Sequence, residues 1–450
     1  MTNVIKIGKG LDIKLKGIPA KEFFDVKLSD EYALVPDNFH GVTPKVVVKP
    51  EEHVKAGGVL FIDKNHPEVN FVSPVSGVVT QVERGARRKV LAVHVKADAE
   101  QQYENFGKRN PSEMSGGEVK ELLLKAGLFA FFNQRPYDMV AEPSQEPRAI
   151  FVSTFDSKPL ATDFEVVLKG QETYFQTGLL ALSKMAKTYL GVSSQQTAPA
   201  LTAAKHVEVT VFKGPHPAGN VGVQIHHVAP INKGEVVWTI GAEEVIFIGR
   251  LLAKGEVDFT RTISLVGSEI TTPAYCKVIT GAKISSVLQN RVKKSSFAQR
   301  YINGNVLTGM QTSTAGFLSA KATQITVIPD GSDVHEFFGW IMPRFNDFSA
   351  NRSYFSWFCK NHEYALDARV KGGERHMIMS NEYDRVFPMD IYPEYLIKAI
   401  ITGDIDGMEA LGIYEVAPED FALCEFVDSS KLELQRIVRE GLDALHEEMC

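Results

Sequence analysis

Cysteine is scarce in this 450-residue chain, and its four copies stand far apart. Cys276, Cys359, Cys424 and Cys450 form no C-x-x-C pair. Structural zinc sites and iron-sulfur clusters need thiolates that short spacings bring together. The sequence therefore argues against a cysteine-held cluster and favours free thiols in a reducing compartment.

Long apolar runs are also missing. No stretch reaches the roughly 18 consecutive apolar residues of a membrane span, and the first residues, Met1 to Lys6, contain no apolar signal core. The formal net charge is -6 and no Lys/Arg run is longer than Arg87-Arg88-Lys89, so nucleic acid is not an expected partner. We expect a cytoplasmic chain without a transmembrane segment.

Glycine is scarce where a phosphate loop would need it. From Ala126 to Asn133 the sequence reads AGLFAFFN, so one glycine is followed by three phenylalanines. Backbone N–H groups approach a phosphate only where side chains leave room, and tight mononucleotide binding is therefore disfavoured here. Core packing is the default role of these rings, and contact with a hydrophobic ring such as a quinone is the alternative.

Motifs of hydrolytic or metal chemistry are absent as well. The chain has no G-x-S-x-G element, no P-loop and no other catalytic constellation, so we assign no catalytic residue. His216, His226 and His227 are the only clustered histidines, and the last two, if extended, would point to opposite faces. We therefore assign no metal site.

Short apolar stretches separated by glycine and proline turns fill the segment from Pro44 to Lys96. They predict two similar β units in a compact barrel or sandwich. This pattern resembles the biotinyl and lipoyl carrier fold, in which a lysine on a hairpin carries the cofactor. Lys64 would be that lysine, but Asn65-His66-Pro67 lengthens and stiffens its hairpin, which disfavours a carrier role.

The middle of the chain alternates between strand and helix patterns. A capping box of Ser115 and Glu118 opens a helix that ends at Gly127, and a strand is predicted from Ala149 to Ser153. A helical face is predicted along Phe175, Leu179, Leu182, Ala186 and Tyr189. Strands separated by helices indicate a parallel, Rossmann-like sheet, whose ligands usually lie at the carboxyl ends of the strands.

Two further patterns follow. Strands predicted at Thr262 to Gly267, around Cys276, at Val306 to Gly309 and at Gln324 to Val327 indicate a β-grasp module. From about Pro388 the chain reads as helical. Its last amphipathic stripe is typical of a core or a partner face, and is formed by Leu434, Ile437, Val438, Leu442 and Leu445.

Motifs along almost the whole chain carry a family resemblance. They include Ile7-Gly8-Lys9-Gly10-Leu11-Asp12, Gly17-Ile18-Pro19, the segment from Ser73-Pro74 to Arg88, His216-Pro217-Ala218-Gly219, Trp238-Thr239-Ile240-Gly241, Asn303 to Gly309, Glu336-Phe337-Phe338-Gly339-Trp340, Tyr383 to Asp390, and Glu419 to Cys424. Together they resemble the A-type subunits of the sodium-translocating NADH:quinone oxidoreductase, a family related to components of the Rnf complex and of respiratory complex I.

The resemblance implies an α/β multidomain fold in four parts. Residues 1–99 would hold an N-terminal segment and a barrel-sandwich hybrid (biotinyl/lipoyl-like) domain, and residues 100–259 a Rossmann-like domain with a parallel sheet. Residues 260–330 would form a β-grasp (SLBB-like) domain, and residues 331–450 a C-terminal domain that is largely helical from about 388.

The resemblance also implies a function. The chain would be a peripheral subunit on the cytoplasmic side of the bacterial inner membrane, in a six-subunit complex that oxidises NADH, reduces ubiquinone or menaquinone and exports Na+. Its five partners would carry the flavins, the iron-sulfur centre and the membrane spans, while this chain would bind no cofactor covalently and act in quinone reduction and assembly. Our hypothesis for a quinone cleft wall is Gly127, Phe129, Phe131 and Phe132.

Two alternatives stay open from the sequence. One is an Rnf-like electron-transfer protein with its own flavin and iron-sulfur clusters. The other is an acyl or biotinyl carrier protein modified at Lys64.

Overall fold

Two small facing sheets form the first β-rich part of the protein. The structure is a computed structural model that describes residues 3–336, 338, 341–359 and 361–449. One sheet has the order β2-β8-β7-β4 and the other β3-β5-β6. The strands in this part of the chain are β1 (Asn3–Lys6), β2 (Glu31–Leu34), β3 (Pro44–Val46), β4 (His53–Val54), β5 (Val59–Asp63), β6 (Asn70–Val72), β7 (Gly77–Arg84) and β8 (Val90–Ala97).

These two sheets confirm the expected barrel-sandwich architecture. Alternate residues of their strands, such as Leu60, Val79 and Val93, are fully buried, as the alternating pattern requires. Strand β1 does not join them, because it pairs in parallel with β13 of the next domain. The sequence pattern did not predict this connection.

The second part is an α/β layer structure. Its elements are α1 (Gly116–Lys125), β9 (Asn133–Arg135), β10 (Met139–Val140), β11 (Ala149–Ser153), α2 (Phe164–Leu168), α3 (Glu172–Met185), β12 (Lys187–Ser193), α4 (Pro199–Thr202), β13 (Glu208–Lys213), α5 (Val221–Val228), β14 (Val237–Thr239) and α6 (Ala242–Lys254). The sheet order is β1-β13-β12-β11-β14-β9-β10. The first five strands are parallel, which confirms the Rossmann-like sheet, while β9 and β10 add an antiparallel edge.

The strand order reverses at β11. The chain runs from β11 to β12 and β13 on one side, and then returns as β14 on the other side of β11. Neighbouring connections therefore leave in opposite directions and open a crevice at the carboxyl ends of β11 and β14.

One predicted helical face is too long. Helix α3 ends at Met185, Ala186 is extended, and Tyr189 lies in β12 between β11 and β13. Thr188, Leu190 and Val192 alternate on buried positions of that strand, so sheet pairing overrides the helical spacing.

The third part is a five-stranded sheet with the order β16-β15-β19-β17-β18, which confirms the expected β-grasp module. Its elements are β15 (Thr260–Val266), β16 (Ala274–Ile279), α7 (Ile284–Leu288), β17 (Gln299–Asn303), β18 (Met310–Thr312) and β19 (Gln324–Pro329). The predicted strand at Val306 to Gly309 is wrong, since these residues form the turn between β17 and β18. Asn305 Oδ1 accepts hydrogen bonds from the N–H groups of Leu307 and Thr308, which holds the backbone in a turn.

The last part is helical, with α8 (Pro393–Thr402), α9 (Ile405–Ala410), α10 (Ala422–Val427) and α11 (Leu434–Met449). The apolar stripe of α11 is buried in the core of this part. Ile7, Ile13 and Leu15 from the start of the chain pack into the same core. Among the helices of the described residues, none combines the length and apolar character that a membrane crossing requires.

Candidate functional site

A cleft of about 260 Å³ lies at the crevice between the carboxyl ends of β11 and β14. Its apolar wall includes Phe131, Phe155, Phe164, Val167 and Ile240. Its polar wall includes Asn133, Lys158, Asn220, Glu243, Lys321 and Glu419. The α/β domain, the β-grasp domain and the C-terminal part each contribute residues, so the site exists only in the assembled fold.

The loop after β11 is fixed by hydrogen bonds beneath the cleft. Ser153 Oγ lies 3.0 Å from the carbonyl oxygen of Gly219 and accepts a 2.8 Å hydrogen bond from Gln224 Nε2. Thr154 Oγ1 donates to the carbonyl of Gly191 at 2.8 Å. A Cβ on Gly219 would lie 2.6 Å from the backbone nitrogen of Ser157, so only glycine lets these loops approach so closely.

Lys158 brings a positive charge to one side of the cleft. Its Nζ lies 3.4 Å from Asp156 Oδ1 and 3.6 Å from Glu419 Oε2, and its side chain is 12% exposed. Burial lowers the pKa of Lys158, but the two carboxylates outweigh burial and raise this pKa above its usual value. Lys158 is therefore a permanent cation with ammonium donors available to a ligand's oxygen.

Two glutamates occupy the first turn of α6, at the other side of the cleft. Glu243 Oε1 accepts a 2.6 Å hydrogen bond from the backbone nitrogen of Thr262, and Glu244 pairs with Arg261. The Glu244 side chain folds over the N-cap, because a Cβ built on Gly241 would lie 2.0 Å from Glu244 Oε2. The positive end of this helix is thus already occupied by carboxylates of the chain itself.

Burial sets the charge of Glu243. Glu243 is 6% exposed, and desolvation raises the pKa of its carboxyl to about 7, against the opposing effect of Arg261 and with a further increase from Glu244. Glu243 Oε2 makes no hydrogen bond with any described residue, and Arg261 Nε lies 3.6 Å away. A carboxyl in this state exchanges a proton near neutral pH.

A buried ion network ties the cleft to the C-terminal part. Arg135 donates to Asp420 at 3.2 Å and to Glu419 at 3.3 Å. Asn220 Nδ2 donates to the carbonyl of Glu419 at 3.3 Å. Across the cleft, Lys321 Nζ donates to Asn133 Oδ1 at 2.5 Å, and burial lowers the pKa of Lys321 while Asp138 and Glu244 oppose this shift.

The four predicted wall residues occupy different places. Phe131 lines the cleft. Phe129 and Phe132 are fully buried behind it, with ring centroids 5.3 and 5.8 Å from that of Trp238. Gly127 ends α1 against the barrel-sandwich domain, where a Cβ would lie 2.7 Å from Val72. Of the four, Phe131 is the one that the fold brings to the cleft, and its contact with a quinone stays a prediction.

Other residues singled out in the sequence lie away from the polar wall. Lys64 is exposed directly after β5, in the connection to β6. His226 and His227 lie on helix α5 rather than on an extended segment, and His226 Nδ1 is 2.8 Å from Glu415 Oε2. His216 is buried beside Ser157, 3.0 Å from its Oγ, and burial together with Lys158 lowers the pKa of His216 to about 4. Among the described residues, no cluster of His, Cys, Asp and Glu has the placement of a metal site.

The sequence analysis missed the charged residues of the cleft. Glu243 and Glu244 follow β14 directly, after Gly241, and Lys158 follows β11 by five residues. Position just beyond the carboxyl end of a parallel strand was the available signal. Lys321 and Glu419 come from distant segments, and no local pattern places them here.

Comparison with known proteins identifies the family. Over 450 aligned positions the chain is 36% identical to the A-type subunit of the Na(+)-translocating NADH-quinone reductase (NqrA) of Neisseria meningitidis serogroup A, covering 99% of this chain and 100% of the relative. The chain belongs to the NqrA family. Members from Yersinia pestis bv. Antiqua and Pasteurella multocida are each 34% identical with the same coverage.

Family profiles match three segments. They are described as the NqrA N-terminal barrel-sandwich hybrid domain at residues 5–98, the NqrA second alpha/beta domain at 114–257 and the NQRA C-terminal domain at 262–314. Among solved structures, an NAD+-reducing [NiFe]-hydrogenase aligns over 41% of each chain with 14% identity and a TM-score of 0.31. The NqrA family profiles thus account for both the order and the type of the domains.

Proposed function

We propose that this chain is the peripheral subunit, on the cytoplasmic side of the bacterial membrane, of a six-subunit complex that oxidises NADH, reduces ubiquinone or menaquinone and exports Na+. The printed names of its full-length relatives support this proposal. In this proposal the five partner subunits hold the flavins, the iron-sulfur centre and the membrane spans, and this chain acts in quinone reduction and in assembly.

The cleft carries the proposal for quinone reduction. Phe131, Phe155 and Phe164 offer an aromatic wall for an uncharged ring, and Lys158 offers a donor for a quinone carbonyl. The N-terminus of α6 holds Glu243 and Glu244, so a phosphate placed there would meet two carboxylates. This arrangement favours a neutral ring over a flavin phosphate or a nucleotide.

An exposed apolar surface supports the proposed role in assembly. Its members, here named the aromatic surface, are each 40% to 66% exposed: Ile341, Met342, Phe345, Phe355, Trp357 and Phe358. The rings of Trp357 and Phe358 stack at 3.9 Å, and Phe345 lies 5.9 Å from Phe355. Contiguous apolar surface of this kind is typical of a protein interface, and we propose that the membrane-embedded subunits of the complex cover it.

Titration calorimetry of the purified chain with a short-tail quinone tests the cleft. We expect saturable binding by the wild-type chain, and about tenfold weaker binding by Phe131→Ala and Phe131→Leu, because each loses a ring contact. Phe175→Leu is the matched control, since Phe175 is fully buried in the same domain but does not line the cleft. Unchanged affinity in folded Phe131 variants would remove Phe131 from the site.

The visible absorbance of the purified chain tests the proposed absence of its own redox centres. Flavins and iron-sulfur clusters both absorb visible light. A coloured chain would favour the electron-transfer alternative, whereas an intact mass above that of the sequence would favour modification at Lys64.

A further inference from the structure

A buried three-residue cluster beside the cleft has more negative than positive charge. Glu243 and Glu244 of α6 share one guanidinium, that of Arg261 on β15. Arg261 is 1% exposed, and its other terminal nitrogen donates to the carbonyl of Ala322 at 2.8 Å. Two buried carboxylates facing one buried cation favour uptake of a proton, because an unpaired charge is costly away from water.

Glu243 is the member of this cluster placed to hold that proton. Glu244 lies in direct ion-pair contact with Arg261, whereas Glu243 Oε2 is at the longer distance of 3.6 Å and has no hydrogen-bond donor among the described residues. Glu243 also lines the cleft.

The other charged groups around Glu243 are engaged elsewhere. Arg250, further along α6, hydrogen-bonds Gln171 and the carbonyl of Thr260 and lies 3.8 Å from Asp258. Across the cleft, Lys321 donates to Asn133, and Lys158 lies between Asp156 and Glu419. None of these contacts supplies Glu243 with a second cation.

We propose that Glu243 donates a proton to a quinone bound in the cleft. This inference rests on the proposed function, and it assigns to the cleft a chemical role as well as a binding role. Reduction of a quinone to a quinol takes up two electrons and two protons. The electrons come from NADH through the redox centres of the complex. One proton leaves the Glu243 carboxyl as its O–H bond breaks and a quinone O–H bond forms, water supplies the second proton, and water then reprotonates Glu243.

The test uses the assembled complex carrying Glu243→Gln, with short-tail ubiquinone as the acceptor. We expect quinone reduction at neutral pH to fall about 100-fold, the lower end of general-acid contributions. Wild-type activity should decline as pH rises above about 7, where Glu243 loses its proton, and this decline should be absent in Glu243→Gln. Quinone affinity, measured by calorimetry, should stay within about twofold, because the amide keeps the size of the carboxyl.

Two further variants separate chemistry from structure. Glu243→Asp retains a carboxyl and should recover both activity and the alkaline decline. Glu68→Gln, at an exposed carboxyl between β5 and β6, is the control for charge removal. Should Glu243→Gln prevent assembly, the pH profile of Glu243→Asp decides, since moving the donor by one methylene should shift the alkaline decline.

Two outcomes would overturn the inference. The first is Glu243→Gln activity within about twofold of wild type at all pH values. The second is lower activity with an unchanged pH profile in either variant, which would indicate a structural role. Failure of the proposed function gives a different result, because the wild-type chain would then not bind quinone at all.

Discussion

Glu243 shows how a single side chain acquires its properties from its surroundings. At the first turn of a helix a carboxylate is normally stabilised, since it faces the positive end of the helix dipole. Here burial and the neighbouring Glu244 outweigh the helix and Arg261, and the pKa of Glu243 rises to about 7. The residue therefore reports the balance between desolvation and charge pairing in the cleft wall.

This shift has a consequence for stability. The folded chain holds a proton on Glu243 up to about pH 7, whereas the unfolded chain releases it near the ordinary value of 4.5. Folding thus takes up a proton between these values, and the free energy of unfolding decreases as pH rises through this window. Glu243→Gln has no such titration, so we expect it to gain up to about 3 kcal/mol relative to wild type between pH 5 and pH 8.

Melting temperatures of both proteins at the two pH values measure this effect. The difference between Glu243→Gln and wild type should grow in favour of the variant at the higher pH. Glu68→Gln should show no such growth, because Glu68 is exposed. An equal difference at both pH values would contradict the assigned environment of Glu243.

At the scale of the element, helix α1 is specified by its own sequence. The Glu118 carboxylate accepts from the Ser115 backbone nitrogen at 2.8 Å, and the Ser115 hydroxyl accepts from the Glu118 nitrogen at 3.3 Å. At the other end, Gly127 takes a φ of 71°, which a residue with a side chain adopts only with strain. Val119 and Leu123 are buried on the inner face between these signals.

The cap predicts a local effect of mutation. Ser115→Ala removes the side-chain acceptor and should destabilise the first turn of α1 by about 1 kcal/mol. Hydrogen exchange of the amides of residues 116–119 should then become about fivefold faster. Ser115→Thr keeps a hydroxyl and should exchange like wild type. Equal exchange in Ser115→Ala would show that packing of Val119 and Leu123, and not the cap, holds this turn.

At the scale of the whole molecule, the cleft depends on contacts between distant segments. Lys321 comes from the β-grasp domain and Glu419 from the C-terminal part, and both meet residues of the α/β domain. The first strand of the chain joins the same sheet through β13. A rearrangement of any of these parts would therefore change the polar wall of the cleft.

The aromatic surface gives a prediction at this scale. Phe345→Ser and Phe358→Ser should each weaken association with the membrane-embedded subunits by about 30-fold, the effect expected of a central interface residue. Co-purification of the partner subunits with the tagged chain measures this loss. Phe297→Ser is the matched control, because Phe297 is 61% exposed but lies outside the aromatic surface. Normal assembly of both surface variants would place the interface elsewhere.

Local elements and the family were accessible from the amino-acid sequence. Alternating valines predicted the strands of the barrel-sandwich domain, the capping box predicted the start of α1, and the stripe of α11 predicted its buried face. These features depend on residues that are neighbours in the chain, so short-range propensity and periodicity are enough to find them. The motifs distributed along the chain were enough to predict the family, which the full-length relatives confirm.

The location of the site came from tertiary packing instead. Phe129, Phe131 and Phe132 are nearly adjacent in sequence, yet Phe131 alone of the three lines the cleft, because the backbone turns between them. Sheet pairing converted Tyr189 from an expected helical position to a strand. The charged wall unites residues from Lys158 to Glu419, and their burial and mutual distances set the pKa values. Those quantities arise from long-range packing, which no local sequence pattern encodes.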